Sequence, residues 1–247
     1  MPLQDWNLKA TFDASYVDRE HGHPNTRPGV LIHYHLGVLG NSVDRIAAYF
    51  DSYLGPAAYN NSFVIVGGGF GWIAGALLDR GFTNIVVTET SDYILAEMDN
   101  SDEQEVRDAC SVAGLDPNGA RADELVALWA RPGVPRRRRK GAAEDVPIID
   151  ADISTPQGRS AAKTAVGGNP QIVVTEDVMA GLSDAEAIAL DGDCQAWGGQ
   201  QTVVHLVTTL APGRAQDAAY NWKTLAQWKA LIPSAIWIDA VTGEVLE

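Results

Sequence analysis

The chain has 247 residues, 46% of them apolar, with 32 acidic against 18 basic side chains, a formal net charge of −14 and a pI of about 4.6. That length suits one α/β domain with an N-terminal extension and is short for a two-domain flavin or nicotinamide oxidoreductase, while the negative charge argues against bulk attraction to nucleic acid, itself a polyanion. Two distant cysteines, Cys110 and Cys194, fit reduced thiols in a cytoplasmic setting; neither the mixed-charge start of the chain nor the glycine-bearing stretch Asn60 to Leu78 reads as a secretory signal or a membrane span.

In chain order, residues 1–40 are rich in turn formers (Gly22, Pro24, Asn25, Pro28, Gly29) and are expected to form a cap, with 41–247 as the main domain. Asn41 or Ser42 is expected to N-cap a helix to about Leu54, with Val43, Ile46, Ala47, Phe50 and Leu54 on one face, and Gly55-Pro56 stopping it. Phe63 to Val66 reads as a strand, followed by a glycine turn, a helix over 72–80, Gly81 as its left-handed terminator, and a second strand over Ile85 to Val87 ending near Glu89. Tyr93 to Met98 is a short helix candidate, Asp99 to Asp108 is acidic, and Arg121 to Ala130 reads helical. The run Arg136 to Lys140, five consecutive cations between Pro135 and Gly141, predicts an exposed loop inserted near 131–145. Val146 to Asp152, Ile172 to Val178 and Thr202 to Leu210 read as further strands. Ser183-Asp-Ala-Glu186 and Thr224-Leu-Ala-Gln227 are capping boxes, the first opening a helix to about Trp197 and the second a helix ending before Pro233. Ala235 to Asp239 and Glu244 to Leu246 read as a closing pair of strands.

The stretch Ser62 to Glu89 carries the most chemistry. Gly67, Gly68, Gly69 and Gly71 let the backbone approach a ligand and supply N–H groups at a helix start, and a carboxylate after the second strand can accept hydrogen bonds from both hydroxyls of a ribose. Nicotinamide dinucleotides, flavins and S-adenosylmethionine (SAM) all use this layout. A dinucleotide fingerprint beginning at Gly67 meets Trp72 at its sixth position, whereas the frame beginning at Gly69 ends acceptably on Ala74. The pattern Gly67-x-Gly69-x-Gly71, with Glu89 standing 22 residues after Gly67, fits directly. An ordinary α/β domain with a glycine-rich turn and no ligand is the plainer alternative.

That pattern resembles the first two motifs of class I SAM-dependent methyltransferases, and the order of later segments is similar over residues 40–240. Asp152 stands where the family has an acid near the adenine amino group. Thr175-Glu-Asp-Val178 and the segment to Glu186 resemble the family's run after strand four, and Gly198-Gly199 precede strand five. The resemblance implies a Rossmann-like, doubly wound, mostly parallel sheet, SAM as cofactor, and a small-molecule or protein methyl acceptor. It places cofactor contacts at Gly67, Gly68, Gly69, Phe70, Gly71, Glu89, Thr90, Asp152, Ile153 and Glu176. Ile65 stands where the family often has an acid, and Ala180 where a histidine is common. The base-methylating signature after strand four is absent. The competing readings are a SAM-fold binding or assembly protein without transfer activity, including a homo-oligomer joined through cap and loop, and an oxidoreductase using the alternative glycine frame.

Each candidate also has a structural reading. Glu89 competes with a surface carboxylate, and Asp152 with Asp150 on the same strand face. Glu176 and Asp177 are general-base candidates at a strand end, where an acid also favours a following helix dipole. His21, His23, His33 and His35 form two H-x-H pairs with no supporting metal spacing; His35 is carried as an acceptor-side base, with plain hydrogen bonding in the cap as its alternative. No metal is expected. His205, mid-strand, reads as a satisfied core histidine. The basic loop is expected to be solvated, with contact to phosphates or an acidic partner as its functional alternative.

Overall fold

The structure, a computed structural model, describes residues 49–53, 55–56, 59–68, 72–78, 80–90, 103–112, 114–129, 147–176, 178–197, 202–207, 209, 221–239 and 243–247. Several expectations lie outside these residues: the cap 1–40 with His35, the helix start at Asn41 or Ser42, Gly69, Phe70, Gly71, the helix over 93–98, the loop 131–145, Asp177 and Gly198-Gly199.

Uninterrupted β-branched and aromatic runs produce the central strands. β1 (Ser62–Val66), β2 (Asn84–Glu89), β4 (Ile172–Glu176) and β5 (Thr202–Val207) are buried along almost their whole length. A parallel strand covered on both faces requires such a sequence. With β3 (Ile148–Asp150), β6 (Ile236–Asp239) and β7 (Val245–Leu246) they make one seven-stranded sheet, ordered β3-β2-β1-β4-β5-β6-β7. Every neighbouring pair is parallel except β6 with β7, the expected closing pair. The chain winds outward from β1 to β3, then returns to lay β4 on the other side of β1. That reversal makes the sheet doubly wound and puts its topological switch between β1 and β4.

Helices cover both faces. On one side, α4 (Pro156–Ala165), α5 (Asp184–Gln195) and α6 (Leu225–Leu231) share a core with the strands, in which Ala162, Leu190 and Trp228 meet Val64, Val173 and Val203. Ridge residues of the opposite face include Ile73 and Leu77 of α1 (Trp72–Leu78), both buried. There Phe50, in the helical stretch 49–53, meets Phe63 edge-on at 5.8 Å, and Phe63 meets Phe82 at 5.3 Å. Edge-to-face ring pairs of this kind add about 0.5–1.5 kcal/mol beyond area burial.

Helix boundaries follow local chemistry. Both capping boxes form: Ser183 with Glu186 and Thr224 with Gln227 exchange side-chain and backbone bonds reciprocally. Each cap is worth about 1 kcal/mol. Gly81 adopts φ +94° after α1, as a left-handed terminator should. Two helices went unread in the sequence. α2 (Glu103–Val112) lies in the acidic stretch and is tied to α3 (Ala120–Trp129) by an Arg107–Asp123 ion pair of 2.8 Å. α4 carries plain start signals, Thr155 as N-cap accepting from Gly158 N and Pro156 in its first turn. Three strands are shorter than expected: β3 stops at Asp150, β4 at Glu176 and β5 at Val207. Beyond β4 the chain turns into a 3-10 segment, Met179–Gly181.

Candidate functional site

Ligands of an open parallel sheet bind outside the carboxyl ends of the strands, at the switch point. Here β1 ends at Val66, which pairs with Thr88 of β2 on one side and with Thr175 of β4 on the other. The next row outward is therefore Glu89, Gly67 and Glu176, extended by Asp150, the partner of Glu89 on β3. Glu89 and Glu176 each stand one strand from Gly67, so their Cα atoms flank a slot of about 10 Å. The sequence reading named all three residues; the register brings them into one line.

The glycines at this turn answer to the fold first. Gly67 has φ +64°, and a Cβ there would lie 2.3 Å from Val178 Cγ2 and 3.7 Å from the Glu176 carbonyl oxygen. Its N–H donates to the Thr88 carbonyl at 2.9 Å, which extends the β1–β2 ladder and leaves that donor engaged. A Cβ on Gly68 would sit 2.6 Å from Val87 Cγ1 and 3.1 Å from Ile65 Cγ2. At these two positions the close approach of Val178, Val87 and Ile65 leaves no room for a side chain, and the chain turns tightly across the strand ends.

Glu89 is 5% exposed, and its Oε1 accepts the Thr90 N–H at 2.7 Å. That bond fixes the carboxylate at the strand tip. Thr90 is buried beside it. Glu176 is half-buried. Behind it, buried Val178 and Met179 line the path of the chain after β4. Asn221 ties this segment down: its N–H donates to the Ala180 carbonyl at 2.9 Å and its side chain to the Leu182 carbonyl at 3.0 Å. Lys223 pairs with Asp184 at 2.8 Å and lies over the Trp228 ring. The Lys223 and Asn221 hydrogen bonds hold the Asp184 carboxyl below the ordinary range.

Asp152 stands differently. It has left the strand, so it does not share a strand face with Asp150, and its Oδ1 accepts both the Ser154 N–H (2.9 Å) and the Ser154 hydroxyl (2.6 Å). Its carbonyl accepts from the Thr155 hydroxyl at 2.8 Å. The turn is closed by Gly158, whose missing Cβ would lie 1.9 Å from the Asp152 carbonyl oxygen. Arg159 donates to the Ile153 and Ser154 carbonyls and pairs with Asp193 at 3.3 Å. Burial raises the Asp193 carboxyl pKa, with Arg159 opposing. Ile153 is fully buried within the core. These bonds shape the turn that carries the chain from β3 to the Thr155 N-cap of α4.

His205 is a satisfied core histidine, as its mid-strand position implies. Its Nδ1 lies 2.8 Å from Thr175 Oγ1 and its Nε2 3.0 Å from Asp191 Oδ1. The partners were not foreseen; an acid on the inner face of α5 was the available signal. Among the described residues, no three His, Cys, Asp or Glu side chains gather as a metal would need, and no helix is long and apolar enough to cross a membrane.

The seven-stranded, mostly parallel sheet is a doubly wound, Rossmann-like α/β architecture with its slot at the switch point between β1 and β4. No protein-family model and no curated protein matches the chain. Among solved structures it is similar to the crystal structure of magnesium protoporphyrin IX methyltransferase from Synechocystis PCC 6803 with bound SAH, at 12% identity and a TM-score of 0.46, over 79% of this chain and 73% of that one.

Proposed function

We propose that the chain binds SAM across the Glu89–Gly67–Glu176 row and transfers its methyl group to a small-molecule or protein acceptor. The observation that carries this reading is the buried Glu89 carboxylate, fixed at the tip of β2 one strand from the positive-φ glycine turn at Gly67. The donor set suits the group: a carboxylate at that place accepts from two vicinal ribose hydroxyls, and the glycine turn admits a ligand against the strand ends. Bound SAM supplies an activated methyl on sulfur, which leaves the protein to orient the acceptor and exclude water.

Within this reading Glu89 and Thr90 hold the ribose side and Gly67 and Gly68 border the ligand at the end of β1, while Gly69, Phe70 and Gly71 are proposed cofactor contacts from the sequence alone. Asp152 and Ile153 border the adenine side, Asp152 more through its turn than through a carboxylate already bonded to Ser154. Glu176 is proposed for the acceptor side, and Asp177 and His35 remain candidates from the sequence alone, a carboxylate or imidazole there taking the acceptor's proton. A second reading, binding without transfer, draws support from Ile65 and Ala180. Both are buried aliphatic residues where the family resemblance leads one to expect an acid and a histidine.

Calorimetry of the purified chain with SAM, S-adenosylhomocysteine, NAD and FAD tests the reading. Binding of the two adenosyl sulfur compounds and of neither dinucleotide is the expected outcome; a dinucleotide binding in their place overturns it. Methyl release to an added acceptor pool then divides transfer from binding alone.

A further inference from the structure

One residue inward from the slot, a second row crosses the sheet: Thr88, Val66, Thr175, His205 and Trp237. Val66 and Trp237 face the core beneath α4, α5 and α6. Into this apolar layer the fold places Thr175 and His205, both 0% exposed, and Asp191 of α5 at 6%. Their hydrogen bonds form one chain from strand β4 through strand β5 to helix α5.

The directions of those bonds follow from the donors. A carboxylate only accepts, so the His205 Nε2–H donates to Asp191. His205 Nδ1 then carries the lone pair, and the Thr175 hydroxyl donates to it. In the neutral ring these partners select the Nε2–H tautomer. Burial favours the same state, lowering the ring's proton affinity against the opposing Asp191 carboxylate. Among the described residues of the other elements packed on the ring, β4 presents Thr175, the 3-10 segment Met179, Ala180 and Gly181, and β6 the Trp237 ring at 4.7 Å, with the buried acid Asp239 two residues further along the same face, opposite Val207. On α5, Gln195 also donates to Asp191, at 3.4 Å.

An apolar trio of the same size would fill this layer without the desolvation cost of an acid and a histidine. A fully bonded polar chain adds direction, since it is satisfied in one register of β4 against β5. Thr175 immediately precedes Glu176 and pairs laterally with Val66, which immediately precedes Gly67. We propose that His205 is a positioning residue for the slot: clasped between Asp191 and Thr175, it fixes the end of β4, and through Val66 the Gly67 turn, so that Glu176 and Glu89 stand at the separation the ligand needs. The ligand part of this inference rests on the SAM reading above.

The test compares Thr175→Val with Thr175→Ser. Valine keeps the β-branch and volume and deletes the hydroxyl donor; serine keeps the donor. The first readout needs no ligand. Backbone amide resonances of Gly67 and Glu89, one and two strands away, are expected to shift in Thr175→Val and to stay in place in Thr175→Ser. The second is S-adenosylhomocysteine affinity, expected to fall about tenfold in Thr175→Val and to stay within about twofold in Thr175→Ser. Unmoved amides in Thr175→Val, or equal shifts in both variants, overturn the positioning role. Valine-specific amide shifts in a chain that binds no S-adenosylhomocysteine support the positioning role and overturn the SAM reading instead. If Thr175→Val does not fold, a pH titration of the unsubstituted chain decides. The Gly67 amide is expected to follow protonation of the His205 ring, read from its ring 15N shifts, and independent titrations overturn the proposal.

Discussion

The tips of β2 and β3 lie side by side, each ending near an acid that sequence order alone assigns to the same ligand, yet the two acids are differently engaged. Glu89 ends its strand, buried, with one oxygen anchored by a backbone N–H and the carboxylate level with the slot. Asp152 comes two residues after its strand, and one oxygen takes two bonds from Ser154 to shape the start of α4. An acid inside a strand's register is held for whatever lies across the sheet. An acid in the following turn is drawn into local bonds to the backbone, as short polar side chains at helix starts generally are.

Two glycines beside these acids, Gly67 after β1 next to Glu89 and Gly158 in the first turn of α4 against Asp152, sharpen this contrast with the largest expected effects. Gly67→Val forces a β-branched residue to φ +64° and drives a Cβ to 2.3 Å from Val178, and it should cost about 3 kcal/mol or more in stability together with ligand binding. Gly158→Val meets backbone instead, 1.9 Å from the Asp152 carbonyl oxygen, and should cost a similar amount, about 3 kcal/mol. The folded fraction of Gly158→Val, whose disturbed turn only borders the adenine side, should lose less S-adenosylhomocysteine affinity than that of Gly67→Val. Chemical denaturation and calorimetry on each variant check both halves; a Gly158→Val protein that folds normally would mean the β3 turn is not closed by that contact.

Next in size is the Asp152 turn itself. Asp152→Ala removes both Ser154 bonds and should lower stability by about 1 kcal/mol, seen as a reduced denaturation midpoint. Restoration by Asp152→Asn, which keeps an acceptor oxygen, is expected; an unchanged midpoint in Asp152→Ala would mean the turn before α4 does not depend on that carboxylate.

The smallest effect is a pH trend, from the residue beneath the slot. His205 is buried and its pKa is lowered from 6.5, chiefly by desolvation. The unfolded chain therefore takes up a proton that the folded chain resists, so this contribution to stability is full above 6.5 and declines as the pH falls below it. Melting temperatures measured from pH 8 to pH 5.5 should drop on the acid side, and less so in His205→Phe/Asp191→Leu, where both partners are gone. An equal drop in that double variant would assign the trend to other groups.

Strand identity was legible because β1, β2, β4 and β5 are written as unbroken β-branched runs, and the capping boxes at Ser183 and Thr224 and the terminator Gly81 lie where their residue types demand. The ends of strands were not legible. Val178 is as β-favouring as Val174, but it turns away to pack over Gly67, a contact set by tertiary approach rather than propensity. α4 was missed although Thr155-Pro156 announces it, because its alanine-rich sequence lacks a strong apolar stripe; α2 was hidden by its charge. In the site, sequence order supplied Glu89, Gly67 and Glu176 singly. Their alignment depends on register, which periodicity does not encode across strands more than a hundred residues apart. The same holds for Thr175, His205 and Asp191, brought together from two strands and a helix.

The central claim, that the acid at the tip of β2 and not the one after β3 holds the ligand, is tested most directly by titrating S-adenosylhomocysteine into Glu89→Ala and Asp152→Ala side by side. Glu89→Ala should lose about 1–3 kcal/mol of binding free energy, the cost of removing a charged hydrogen-bond partner, and Asp152→Ala should remain close to the unsubstituted chain. The reverse order of losses, or equal affinity in all three folded proteins, would contradict the account.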